Sequence, residues 1–108
     1  MNKTTVFLLA ALLACGNAVA ADRAAGEKLA AERCASCHGK DYNTPIDPSY
    51  PKLGGQYDDY LLKALRDYHS GARKNAVMGG IAKGLTPQDM RNLAAYLGSA
   101  PGPLTQKK

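Results

Sequence analysis

The chain has 108 residues, 45% apolar and 21% charged, with a formal charge of +5, which leaves room for one ordinary domain and not two. Helical periodicity excludes low-complexity disorder, and the lack of any apolar run after residue 21 excludes a polytopic membrane protein. Beyond Ala21 there are nine Leu, two Ile, one Val, two Met and no Phe or Trp, thin filling for a domain that must bury about 60% of its unfolded surface, so something besides side chains is expected in the core.

The N-terminus combines Met1-Asn2-Lys3, an apolar stretch from Val6 to Leu13, and Ala18-Val19-Ala20 ahead of the first acid, Asp22. One positive charge, a short apolar region and small residues before the cut make residues 1–20 an expected signal peptide, cleaved after Ala20 or one residue later. At about fifteen residues the apolar stretch falls short of the roughly 20 that a spanning helix needs. Leu12-Leu13-Ala14-Cys15 offers an alternative, a lipid on Cys15, although Leu13 is a poor fit to the small residue usual there. The mature chain carries 13 Lys/Arg against 9 Asp/Glu and is expected in the periplasm.

A first helix is expected from about Ala24 to Cys37, capped by Asp22 and with Glu27 in its first turn. Gly26 and Ala30 give it a small face that invites close approach by another helix. It ends in Cys34-Ala35-Ser36-Cys37-His38, which has three chemical readings. A zinc site would need a fourth ligand, and His69 is the one other histidine. A thioredoxin-like dithiol wants a strand before it, where a helix is expected here. Covalent c-type heme attachment explains the spacing best: two thiols add to the heme vinyl groups, and the adjacent imidazole then lies under the iron.

From Gly39 to Gln56 the chain holds Pro45, Pro48, Pro51, Gly54 and Gly55, too many breakers for a regular element. A loop of eighteen residues in so small a domain points to packing on a ligand. A second helix is expected from Tyr57 to about Ser70, burying Tyr57, Leu61, Ala64, Leu65 and Tyr68 and ending at Gly71. Asn75-Ala76-Val77-Met78-Gly79-Gly80 follows as a flexible segment. A third helix opens on Thr86-Pro87-Gln88-Asp89, shows the stripe Met90, Leu93, Ala94, Leu97, and stops at Gly98. Residues 21–98 form the expected domain, and 99–108 a mobile tail.

Cys34-Ala35-Ser36-Cys37-His38-Gly39, Pro51-Lys52-Leu53-Gly54-Gly55-Gln56, a Met near a Gly, and a final helix ending Leu93-Ala94-Ala95-Tyr96-Leu97 together resemble a class I c-type cytochrome. The similarity is greatest to small bacterial cytochromes c553 and to one half of the diheme cytochromes c4. It implies an all-α cytochrome c fold: three main helices and a long loop wrapped around one covalent heme c, attached through Cys34 and Cys37. It implies His38 as one iron ligand, its other ring nitrogen held by the carbonyl of Pro51. It also implies a crossing of the first and last helices, with Gly26 against Leu93 and Tyr96. Ala30 stands where an aromatic is common, so that contact should be less filled.

Three side chains compete for the sixth iron position. The resemblance places the family's axial methionine at Met78. Met90 falls on the apolar stripe of the third helix, and His69 ends a charged helix. Tyr50, Leu53, Tyr57, Tyr60, Leu61, Tyr68, Ile81 and Leu85 are candidates to line the heme cleft. Lys40, Lys52, Lys74 and Lys83 are candidates to border its exposed edge.

A saturated iron implies a carrier of single electrons between periplasmic or membrane-bound redox proteins, not an enzyme. The alternative is a permanent cytochrome subunit of a larger dehydrogenase, resembling flavocytochrome c sulfide dehydrogenase. No Ser-His-Asp set, phosphate loop or pair of acids with a pocket supports other chemistry. No continuous basic stripe supports nucleic-acid binding. Membrane contact is expected only through a partner or through a lipid on Cys15.

Overall fold

The computed structural model describes residues 20–105. Cys15 and the expected leader up to residue 19 lie outside the described residues. Among the described residues, five helices follow in chain order: α1 (Arg23–Arg33), α2 (Ala35–His38), α3 (Asp58–Ser70), α4 (Ala76–Lys83) and α5 (Pro87–Ser99). Among the described residues there is no strand, and no helix is long and apolar enough to cross a membrane. The expected three main helices are α1, α3 and α5.

Asp22 caps α1, its carboxylate accepting the Ala25 N–H at 3.0 Å. The Asp22 N–H donates in turn to Oδ1 of the buried Asn92 at 2.8 Å, which ties the start of α1 to α5. The two helices cross at Gly26, where an added Cβ would collide with the Asn92 carbonyl and come within 2.9 Å of the Tyr96 Cβ. Backbone cannot rotate away as a side chain can. Gly26→Ala is therefore expected to cost about 3 kcal/mol, the upper end for overpacking, read as a lowered midpoint in urea unfolding.

Beside this crossing, Ala30 is fully buried and small. Tyr42, a buried loop residue at a positive φ of 61°, meets Tyr96 edge-on at 5.9 Å, and Ala30, Tyr42 and Tyr96 belong to one apolar cluster. Burial of Tyr42, and then the neighbouring Tyr96, push its phenol above its ordinary value.

Helix α5 opens with a capping box, Thr86 and Asp89 each accepting the other's N–H, and with Pro87 in its first turn. Met90, Leu93, Ala94 and Leu97 are buried along its inner stripe. Helix α3 packs on α5 and on α4. Asp58 and Asp59 complement the positive end of α3, and Gly71 closes it with φ 87°.

Residues 39–57 contain no regular element, as expected, yet the loop is tied at both ends. Leu53 N–H donates to the Tyr42 carbonyl at 2.8 Å, Ile46 N–H to the Cys37 carbonyl at 3.1 Å, and Gly55 N–H to the Leu97 carbonyl at 3.0 Å. The end of the last helix differs from the sequence expectation. Helix α5 runs one residue past Gly98, whose lack of a Cβ instead lets the Gln56 carbonyl approach. Residues 100–105 then fold back on the loop, where Asn43 Nδ2 donates to the Pro101 carbonyl at 2.9 Å.

Candidate functional site

The first helix was expected to run unbroken to Cys37, but it ends at Arg33. Cys34, at φ −115° and ψ −37°, interrupts it, and α2 restarts at Ala35. The cause is tertiary: α2 is drawn toward the loop, where His38 is buried with its Nδ1 2.9 Å from the Pro51 carbonyl oxygen. An imidazole that gives its Nδ1 proton to a carbonyl keeps the Nε2 lone pair free for a metal. The Tyr50 ring lies 6.2 Å from the imidazole, tilted by 45°.

Cys34 and Cys37 are both free thiols and half-buried. Burial pushes the Cys34 thiol up to about 11, so it is neutral at ordinary pH. The zinc reading finds no geometry here, since among the described residues no three His, Cys, Asp or Glu side chains converge on a metal position. The dithiol reading lacks its strand.

All five helices and the loop close around a cleft of about 400 Å³ into which Cys34, Cys37 and His38 face. Of the expected lining residues, Tyr50, Pro51, Leu53, Tyr60, Leu61, Tyr68 and Ile81 are there. Tyr57 and Leu85 are not: Tyr57 is the exposed N-cap of α3, and Leu85 is buried in the core. Ala64, Leu65, Leu93 and Leu97 complete an apolar wall from α3 and α5.

Met78 borders this cleft, whereas Met90 is 3% exposed in the core and His69 faces solvent. The segment carrying Met78 was expected to be flexible and is instead the helix α4. Asn75 is the reason, its side chain accepting the N–H groups of Val77 and Met78 at 3.0 Å each. An Asn followed by Ala76, Val77, Ile81 and Ala82 at helical spacing was the available signal, and the two glycines obscured it.

The charges at the cleft differ from those expected. Lys52 lines it; Lys40, Lys74 and Lys83 are exposed and lie outside its wall. Arg33 and Arg73, not singled out in the sequence, join Lys52, and no carboxylate accompanies them. The Arg73 guanidinium lies over the Tyr68 ring at 4.8 Å from its centroid. An apolar cleft with two thiols, a tautomer-fixed imidazole and three cations fits heme c, which is flat, apolar and edged by two carboxylates.

The Cytochrome c family profile matches residues 23–101. The chain belongs to the cytochrome c family. It is 43% identical over 99 residues to cytochrome c4 of Pseudomonas aeruginosa, covering 92% of this chain and 49% of that protein. To the thiosulfate dehydrogenase electron acceptor of Stutzerimonas stutzeri it is 39% identical over 103 residues, covering 88% and 46%. To cytochrome c-554(548) of Halomonas halodenitrificans it is 40% identical over 83 residues, covering 74% of this chain and 98% of that one. Among solved structures, reduced cytochrome c4 from Pseudomonas stutzeri superposes with a TM-score of 0.67 at 30% identity, covering 76% of this chain and 51% of that one. The chain thus spans about half the length of the cytochrome c4 relatives it matches. As a member of the family it binds heme c through Cys34 and Cys37.

Proposed function

We propose that this cytochrome carries single electrons between redox proteins in the periplasm, and that His38 and Met78 would hold its heme iron. The observation that carries this reading is the shared cleft: a buried imidazole with Nε2 left free by the Pro51 carbonyl, and a thioether on α4, border the same space. When bound, the heme supplies a one-electron ferric/ferrous couple. His38 is held in one tautomer and orientation by Pro51, and this fixes its strength as a ligand. Met78 offers a soft thioether, which favours the ferrous state relative to a second imidazole. Leu61, Leu65, Leu93 and Leu97 give the cleft an apolar wall, which would limit the reorganisation that each change of charge demands. The cleft wall combines apolar side chains with Arg33, Lys52 and Arg73, which supports a carrier.

The apparent leader supports export, with membrane contact through a partner or a lipid on Cys15. The match that covers 98% of cytochrome c-554(548) supports a unit built around one heme. The relative named as an electron acceptor of thiosulfate dehydrogenase supports a second reading, a permanent cytochrome subunit of a larger dehydrogenase. Potentiometric titration of the purified protein should give one reversible wave with a slope of about 59 mV per decade, the one-electron value. A two-electron slope, or no wave, would sink the carrier reading.

Charge at the mouth sets how a partner arrives. Arg33, Lys52 and Arg73 border the cleft without a carboxylate among them, and Tyr60 and Val77 are half-exposed there. An acidic docking face is the complement, with charge raising the encounter rate more than the affinity. Electron transfer to such a partner, followed by stopped flow, should slow about tenfold as salt is raised well beyond 0.1 M, where the Debye length is about 10 Å. A rate that ignores salt would point to apolar docking through Tyr60 and Val77.

A further inference from the structure

Met78 sits on a helix that is poorly equipped to persist. Helix α4 has eight residues, of which only Ala82 is buried, and helices shorter than about 12 residues are marginal without tertiary support. Its centre is Gly79-Gly80, and glycine is the weakest ordinary helix former. Among the described residues nothing requires either glycine for space or for backbone geometry. A Cβ on Gly80 would meet nothing within 4 Å, one on Gly79 would come no nearer than 4.0 Å to the Tyr68 carbonyl, and neither residue has a positive φ. Neither borders the cleft.

Against this weakness stands Asn75. Its Oδ1 accepts the N–H of Val77 and the N–H of Met78 itself, at 3.0 Å each. The backbone of Asn75 is extended, at φ −160° and ψ 126°, a conformation open to other residues, so its side chain and not its backbone makes the cap. Asn75 also borders the cleft.

We infer that Asn75 is a positioning residue for the sixth iron ligand: by capping α4 it sets the fraction of time that Met78 leaves the iron, while Gly79 and Gly80 keep that fraction from vanishing. This rests on Met78 as an axial ligand. The physical content is a local opening of α4, drawn from the low-stability end of the fold. A competing ligand reaches the iron only in the open state, so its apparent affinity scales with the open fraction.

The test is an imidazole titration of the oxidised holoprotein, following loss of the near-infrared band that reports sulfur on ferric iron. Asn75→Ala removes a cap of ordinary strength and should tighten apparent imidazole binding about fivefold. Asn75→Asp, which can still accept both N–H groups, should return it to within about twofold of the parent. Gly80→Ala strengthens the helix and should weaken imidazole binding about fivefold; it carries the inference alone if Asn75→Ala does not fold. In a Met78→Ala background, where the band is already gone and imidazole binding is followed by the shift of the Soret band, the iron position is open and the effect of Asn75→Ala should disappear. Unchanged affinity in both Asn75→Ala and Gly80→Ala, with a band that Met78→Ala abolishes, would overturn the inference and leave the axial reading intact. So would an Asn75→Ala effect that persists without Met78. A band that survives Met78→Ala would instead overturn the axial reading, and the inference with it.

Discussion

A Cys34→Ala, Cys37→Ala double variant is expected to yield heme that acid acetone extracts, on a chain that does not fold cooperatively. The protein's own core is small: Ala30, Tyr42, Leu61, Ala82, Leu85, Met90, Leu93, Ala94 and Leu97 are its buried apolar residues. Around it, α3, α4, α5 and the loop all face a cleft of about 400 Å³. A chain that cannot keep the heme there forgoes the apolar area that the heme would bury, at about 25 cal/mol per Å², against a whole-domain stability of only about 5–15 kcal/mol. Either single variant keeps one thiol and should retain heme by one bond, with a midpoint below the parent's. Circular dichroism in urea together with acid-acetone extraction checks both. A double variant that unfolds cooperatively near the parental midpoint would show that the core needs no covalent heme.

Met78→Ala and Met90→Ala should separate ligand from filler. Met78 borders the cleft, so its loss takes a thioether from the iron; the reduction potential should fall by on the order of 100 mV or more, against the roughly 0.8 V that axial ligands span. Met90 is 3% exposed on the inner stripe of α5, and its truncation should cost about 2–5 kcal/mol of stability through cavity formation. The potential of Met90→Ala should stay near the parental value. Protein-film voltammetry and thermal unfolding on both variants give the two-way comparison, and exchanged outcomes would reverse the two assignments.

What was legible in the sequence had a local cause. Asp22, Thr86 with Asp89, and Gly71 mark three helix ends through side-chain caps and a left-handed turn, and each sits where its chemistry placed it. The Cys34–His38 spacing carried the cofactor because thioether attachment leaves few other arrangements. What was not legible had a tertiary cause. No glycine or proline marks the break at Cys34; the His38–Pro51 contact thirteen residues further on accompanies it. Helix α4 was hidden because Gly79 and Gly80 lower its local propensity, while a side chain outside the helix holds it. Tyr42 could not be foreseen as the ring against Tyr96, since it reaches that place through a positive φ that a tyrosine rarely adopts. Arg33 and Arg73 were overlooked as cleft residues because one reads as part of a helix face and the other as a charge after a turn.

The near-infrared spectrum of the oxidised protein, recorded for the parent and for Met78→Ala, bears most directly on an iron closed by His38 and Met78. The parent should show the weak sulfur-to-iron charge-transfer band, and Met78→Ala should lack it while keeping its heme in acid acetone. A parent without the band, or a band that persists after Met78 is gone, would contradict a carrier whose iron is held between these two side chains.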